Sequence, residues 1–137
     1  MSSSGIRVAT VVLAALAAAG GVVAGTASAS PVSTFSQDAN SDLMINNRFV
    51  ARTEFKSYGD SFTVTKKSNY HDGVPYVEYE YIKINGQLQT GVHYGSAEVG
   101  VRVKFDHNFG ENRAVKFRTC ISEAWLDDCD EWRTGYA

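Results

Sequence analysis

A chain of 137 residues with a formal net charge of −2 has room for one compact domain, and its slight acidity argues against nucleic acid as the main partner. The 2 cysteines and 3 histidines are too sparse, and too widely spaced, for a recognisable zinc motif.

Taken in chain order, Arg7 gives the N-terminus a positive charge, and Val8 to Gly25 follows without a charged residue. Ala27-Ser28-Ala29 supplies the small residues of a signal-peptidase site, so residues 1–29 read as a signal peptide cleaved after Ala29. An uncleaved membrane anchor is the competing reading, but Gly20-Gly21 interrupts the apolar run. No cysteine precedes Cys120, which removes the thiol for lipid attachment. Release with no remaining membrane contact is therefore expected. The mature domain of about 108 residues would bury roughly 65% of its unfolded surface and fold as a monomer.

Residues 30–47 are rich in Ser, Thr, Asn, Asp and Gln, the composition of a flexible polar leader. From residue 48 to 137 the pattern becomes that of a single β-domain. Phe49, Ala51, Thr53 and Phe55 alternate with Arg52, Glu54 and Lys56, and Tyr58-Gly59-Asp60 provides a turn before Phe62 and Val64. Val77, Tyr79 and Tyr81 alternate with Glu78 and Glu80, but the apolar parity switches at Ile82 and Ile84, which predicts a bulge near Tyr81. Asn85-Gly86 predicts a two-residue type I′ turn. Val99, Val101, Val103 and Phe105 give the clearest inside/outside alternation, and Val115, Phe117 and Ile121 continue the inner face with Cys120 pointing away. A last strand is expected within 131–136. Six or seven short antiparallel strands, with no long helix, favour an all-β sandwich or small barrel.

Cys120 and Cys129 are an even pair in an exported chain, so a disulfide is the economical assignment. Closing so short a loop contributes about 2.5 to 3 kcal/mol. The signal, the short β-domain and the terminal Cys120 to Cys129 loop with Cys-Asp-Glu-Trp resemble small secreted proteins of filamentous actinobacteria. The resemblance covers the general layout and the last ~20 residues. It implies an extracellular setting and carries over no catalytic or binding residue.

Candidate chemistry is thin. There is no G-x-S-x-G, and His71, His93 and His107 lie in separate segments, which reads as ordinary surface or loop histidines. Glu78 and Glu80 share one strand face but fit the wet side of a half-exposed strand. A ribonuclease-like hydrolase would need a Glu, a His and a cation such as Arg102 or Arg118 to converge. Asp106, Asn108 and Asn112 are weak cation-loop candidates in what reads as a turn. Glu123, Asp127, Asp128, Asp130 and Glu131 crowd the Cys129 loop and read as solvated. Trp125 and Trp132 are expected to pack on the disulfide and core.

Tyr70, Tyr76, Tyr79, Tyr81 and Tyr94 concentrate in and beside one hairpin, a surface suited to a protein or glycan. The leading expectation is a non-enzymatic extracellular β-domain that binds a protein or glycan surface. Its candidate contacts are Tyr76, Tyr79, Tyr81, Tyr94, Trp125 and Leu126, and no cofactor, metal or catalytic residue is assigned. A small secreted hydrolase and a protease inhibitor presenting the Trp125-Leu126 loop are the alternatives. Thiol labelling of the denatured, unreduced protein is expected to find neither cysteine free; two labelled thiols would remove the disulfide.

Overall fold

The computed structural model describes residues 36–137; the signal peptide expected over 1–29 and the first residues of the leader lie outside them. Nine strands are found among the described residues: β1 (Ala39–Ile45), β2 (Arg48–Lys56), β3 (Ser61–Lys66), β4 (Pro75–Ile82), β5 (Leu88–Tyr94), β6 (Arg102–Asp106), β7 (Ala114–Ile121), β8 (Asp128–Cys129) and β9 (Arg133–Tyr136). They form two antiparallel sheets. One runs β1-β2-β3-β6; in the other β5-β4-β7 is extended by β8 and β9, both paired along the far edge of β7. The expected all-β architecture with one disulfide is what the chain adopts.

The sheets are laced along one side. Gln37, just ahead of β1, exchanges two backbone hydrogen bonds of 3.0 Å with Tyr136 of β9. On the other side β5 pairs only with β4, and β6 only with β3, so that seam is closed by side chains. Between the sheets Phe55, Phe62 and Phe117 pack with ring centroids 5.4 to 5.9 Å apart. Val64, Val77, Val115, Tyr79 and Phe109 surround them, and Leu43, Val50, Ala51 and Ile121 form a second cluster.

A polar junction is buried beside this apolar core. The Thr119 amide of β7 donates to the Ser41 hydroxyl of β1 (2.8 Å), and the Thr119 hydroxyl donates to the Ser41 carbonyl (2.8 Å). The Thr53 hydroxyl of β2 lies 2.9 Å from the Thr119 hydroxyl, and the Ser41 hydroxyl donates to the Asp130 carboxylate (2.8 Å). Groups buried this deeply are tolerated because each finds a partner.

Four expectations change. Residues 39–45 of the supposed flexible leader form edge strand β1, with Ser41 and Leu43 buried: the polar composition hid hydroxyls that are satisfied inside the protein. No bulge occurs near Tyr81, where β4 keeps an unbroken register with both neighbours. The irregularity lies at Val50, skipped where Leu43 pairs with Ala51 and Met44 with Phe49, and Ile82 and Ile84 are simply exposed. The turn at Asn85-Gly86 is not type I′, because only Gly86 has positive φ (81°) there. The Gly86 amide bonds the Lys83 carbonyl and the Lys83 amide bonds Gln87, which makes a three-residue loop ending in a left-handed glycine. Finally, Gly100 at φ 84° breaks the valine run, so β6 starts at Arg102 and Val99 and Val101 lie at the surface.

Ser41→Ala strands the buried Thr119 amide, so it is expected to cost about 1 to 3 kcal/mol in urea unfolding. A loss below about 0.5 kcal/mol, the usual range of surface substitutions, would show that the junction relaxes around the lost hydroxyl.

Candidate functional site

Two loops meet at one end of the second sheet. The loop from β3 to β4 brings Tyr70, His71, Asp72 and Gly73; the loop from β7 to β8 brings Ser122, Glu123, Ala124 and Trp125; between them is a cleft of 540 Å³. Backbone contact fixes their spacing. The Ser122 amide donates to the Val74 carbonyl (3.0 Å), and the Ser122 hydroxyl accepts from the Val74 amide at 3.2 Å while donating to the Val74 carbonyl at 3.2 Å. Gly73 passes so close to the Ser122 carbonyl that a Cβ there would collide with it. The Cys120–Cys129 disulfide, S–S 2.03 Å, ties off the far side of the second loop.

In this cleft His71 Nδ1 contacts Glu123 Oε1, while His71 Nε2 is buried and meets no hydrogen-bond partner among the described residues. Tyr70 lies edge-on to His71 with centroids 4.8 Å apart, is covered by the Arg48 guanidinium at 4.6 Å, and accepts from Asn46 (3.1 Å). Asp127 is occupied elsewhere: it accepts from the Tyr76 hydroxyl (2.7 Å) and from the Glu123 amide (3.1 Å). Burial, and next the Asp127 carboxylate, push the Tyr76 phenol well above its usual range. It therefore stays a protonated donor.

The lip of this cleft departs from expectation. Trp125 is 98% exposed and Leu126 76%, so neither packs on the disulfide. Trp132 is half covered, with the Arg118 guanidinium 4.6 Å over its ring. Trp125 lies within the short segment closed by the disulfide, whereas Trp132 follows Cys129 and lies outside it.

The tyrosine hairpin does not form a contiguous aromatic surface. Tyr79 faces the core beside Phe62, Tyr81 lies half-buried against Phe109, and Tyr76 is covered by Tyr94 at 5.1 Å. Of these four, Tyr94 alone is well exposed. Glu78 and Glu80 pair with Arg118 (2.7 Å) and Lys116 (3.6 Å) on the wet face, as the strand pattern implied. Asp106 is exposed and paired with Lys104 (2.7 Å), Asn108 is exposed, and Asn112 takes a left-handed φ of 59° in the turn before β7.

Histidines are where residue-by-residue reading missed most. His93 of β5 and His107, just after β6, close the open seam with their Nε2 atoms 2.7 Å apart. Phe105 stacks on His93 at 4.4 Å and Phe109 on His107 at 4.7 Å, and Tyr79 lies beside both rings. Strand parity was the available signal: His93 pairs with inward-facing Val77, so it must face inward too. Burial lowers the pKa of both rings, and for His107 the neighbouring His93 lowers it further against the pull of Asp60 and Asp106.

No protein-family model, curated protein or solved structure matches this chain.

The histidine pair makes stability acid-sensitive. In the unfolded chain both rings titrate near 6.5, whereas the folded values lie lower, so the unfolded state takes up protons first as pH falls. Their contribution is full above pH 6.5 and is lost progressively below it. The urea midpoint is expected to be level from about pH 7 to 8 and to fall from about pH 6.5 downward, ahead of carboxylate protonation. A His93→Gln/His107→Gln variant should flatten that limb; a wild-type midpoint unchanged down to about pH 5 would contradict the assignment.

Proposed function

We propose that this chain is a secreted, non-enzymatic binding domain that holds a glycan in the cleft between Tyr70–Gly73 and Ser122–Trp125. The observation that carries this reading is Trp125, 98% exposed on a loop pinned by a disulfide. A wholly exposed indole keeps its apolar faces in water, so covering them with a ligand is favourable, and a flat ring with a polar edge suits the face of a sugar. Tyr70, 40% exposed, stands on the opposite bank, and His71, Asp72 and Glu123 line the space between. Aromatic walls with convergent hydrogen-bonding groups suit a small polyhydroxylated ligand better than the broad, flat contact a protein partner requires. The signal-like N-terminus and the disulfide support an extracellular setting.

A hydrolase is the second reading, favoured by the His71–Glu123 contact, in which a carboxylate orients an imidazole whose other nitrogen is uncapped. Against it, the Ser122 hydroxyl is engaged by the Val74 backbone, and among the described residues no lysine or arginine lines the cleft to carry phosphate charge.

Tryptophan fluorescence separates the two. Titration with soluble oligosaccharides, alongside sedimentation with insoluble chitin, cellulose and peptidoglycan, is expected to find a glycan whose binding weakens at least about tenfold in Trp125→Ala. Stability of that variant should stay within about 0.5 kcal/mol of wild type. Retention of no glycan, or equal binding by Trp125→Ala, would overturn the proposal. RNA cleavage abolished by His71→Gln and Glu123→Gln would establish the second reading instead.

A further inference from the structure

We infer that a second cleft, at the opposite end of β4 between the β4–β5 turn and the β6–β7 loop, is a site for a small organic carboxylate with an apolar body. It has a volume of 640 Å³, within the range of small-molecule sites. Its lining shares no residue with the cleft between Tyr70–Gly73 and Ser122–Trp125, so this inference goes beyond the glycan reading and does not rest on it.

Charge is the first observation. On the strands that flank the β6–β7 loop, Arg102 and Lys104 of β6 and Lys116 and Arg118 of β7 each meet a carboxylate. Lys83, in the turn after β4, and Arg113, just before β7, form no ion pair among the described residues, and both line this cleft. The Arg113 side chain runs past Gly110, and its Nη1 lies 3.5 Å from the Ile82 carbonyl, which leaves most of its N–H donors unengaged. Glu111 is the one carboxylate side chain of the lining among the described residues. Two cations thus face one anion, in a chain whose formal net charge is −2.

The second observation is apolar surface beside those charges. Tyr81, half-buried, meets Phe109 with ring centroids 4.8 Å apart, and both belong to the lining. Ile84, also in the lining, is 92% exposed. Covering such groups with an apolar body is favourable, whereas a bare inorganic anion would leave them in water. A guanidinium pairs with a carboxylate through two parallel hydrogen bonds, and an ammonium adds a point charge, so the two ends of the ligand match the two characters of the cleft. Both banks are already held. The Lys83 amide donates to the Gln87 carbonyl (2.9 Å) on one side; on the other, Asp60 accepts from the His107 amide at its carbonyl and from the Phe109 amide at its carboxylate, both at 2.8 Å. A membrane of anionic lipid offers the same chemistry, but a concave cleft in an acidic chain suits a free molecule better than a negatively charged surface.

The test is an amide NMR titration with sodium octanoate as the probe, with octanol and octylammonium as the neutral and cationic counterparts. Octanoate is expected to give saturable shifts centred on residues 83–85 and 108–113, with octanol and octylammonium bound at least about tenfold more weakly. Lys83→Gln and Arg113→Gln, checked for folding by circular dichroism, should bind octanoate at least about threefold more weakly, and Ile84→Ser, at an exposed position, should weaken it as well. Trp125→Ala should bind octanoate as wild type does, so failure of the glycan reading leaves this site untouched. Absence of saturable shifts, shifts centred elsewhere, octanol bound as tightly as octanoate, or unchanged affinity in any of the three folded variants would overturn the assignment. Retention on phosphatidylglycerol vesicles without octanoate binding would also overturn it, and would give the two cations to a membrane surface instead.

Discussion

The hydroxyl of Ser41 sits where the two sheets and the candidate site depend on one another. It accepts the Thr119 amide from the opposite sheet and donates to Asp130, so one small side chain ties β1 to β7 and both to the segment between β8 and β9. Asp130 answers twice, its amide donating to the Thr119 carbonyl at 2.8 Å and its carboxylate meeting Arg133 at 3.4 Å. With that corner fixed and the disulfide one residue away, the loop from Ser122 to Asp128 has both ends held. A buried polar group of this kind is tolerable only when its partners are in place, and the same requirement makes it specify one arrangement of the sheets.

Much of the fold was legible because it rests on local alternation. The inward faces of β2 and β7, the turn at Tyr58-Gly59-Asp60 and the antiparallel hairpin around Asn85-Gly86 all follow from period-two patterning and turn residues. What failed was patterning that tertiary contacts override. β1 reads as a polar tether because its buried face holds Ser41 as well as Leu43, and a hydroxyl that finds partners inside cannot be told by composition from one meant for water. The valine run of Val99 to Phe105 reads as one long strand, yet Gly100 turns out of it to bond the Lys66 carbonyl, a decision made by a neighbouring strand.

The candidate site was legible only in its parts. The Cys120–Cys129 pair could be assigned from compartment chemistry, and the acidic, aromatic character of its loop stood out in the sequence. That Tyr70 and His71 face this loop could not be known, since the meeting depends on β4 lying beside β7. Tyrosines crowded in one hairpin suggested a surface, but strand parity sends Tyr79 inward and Tyr94 covers Tyr76. Trp125 erred in the opposite direction: large aromatics are usually buried, and here the tightness of the bridged loop prevents it.

The lacing of Gln37 to Tyr136 also bears on how the chain reaches this structure. It joins residues separated by nearly the whole described length, while β3 must find β6 and β4 must find β7 across long intervening segments. Such pairings demand loop closure before they return any contact energy, which places the chain among slow, nonlocal folders. The disulfide spans only nine residues and shortens none of these searches. Until the two sheets meet, β1 and β9 present open strand edges, the surfaces through which partly folded β-proteins stick to one another. The two bonds at Gln37 therefore act at the end of folding as a clasp, joining the two sheets at one point once everything between them is in register.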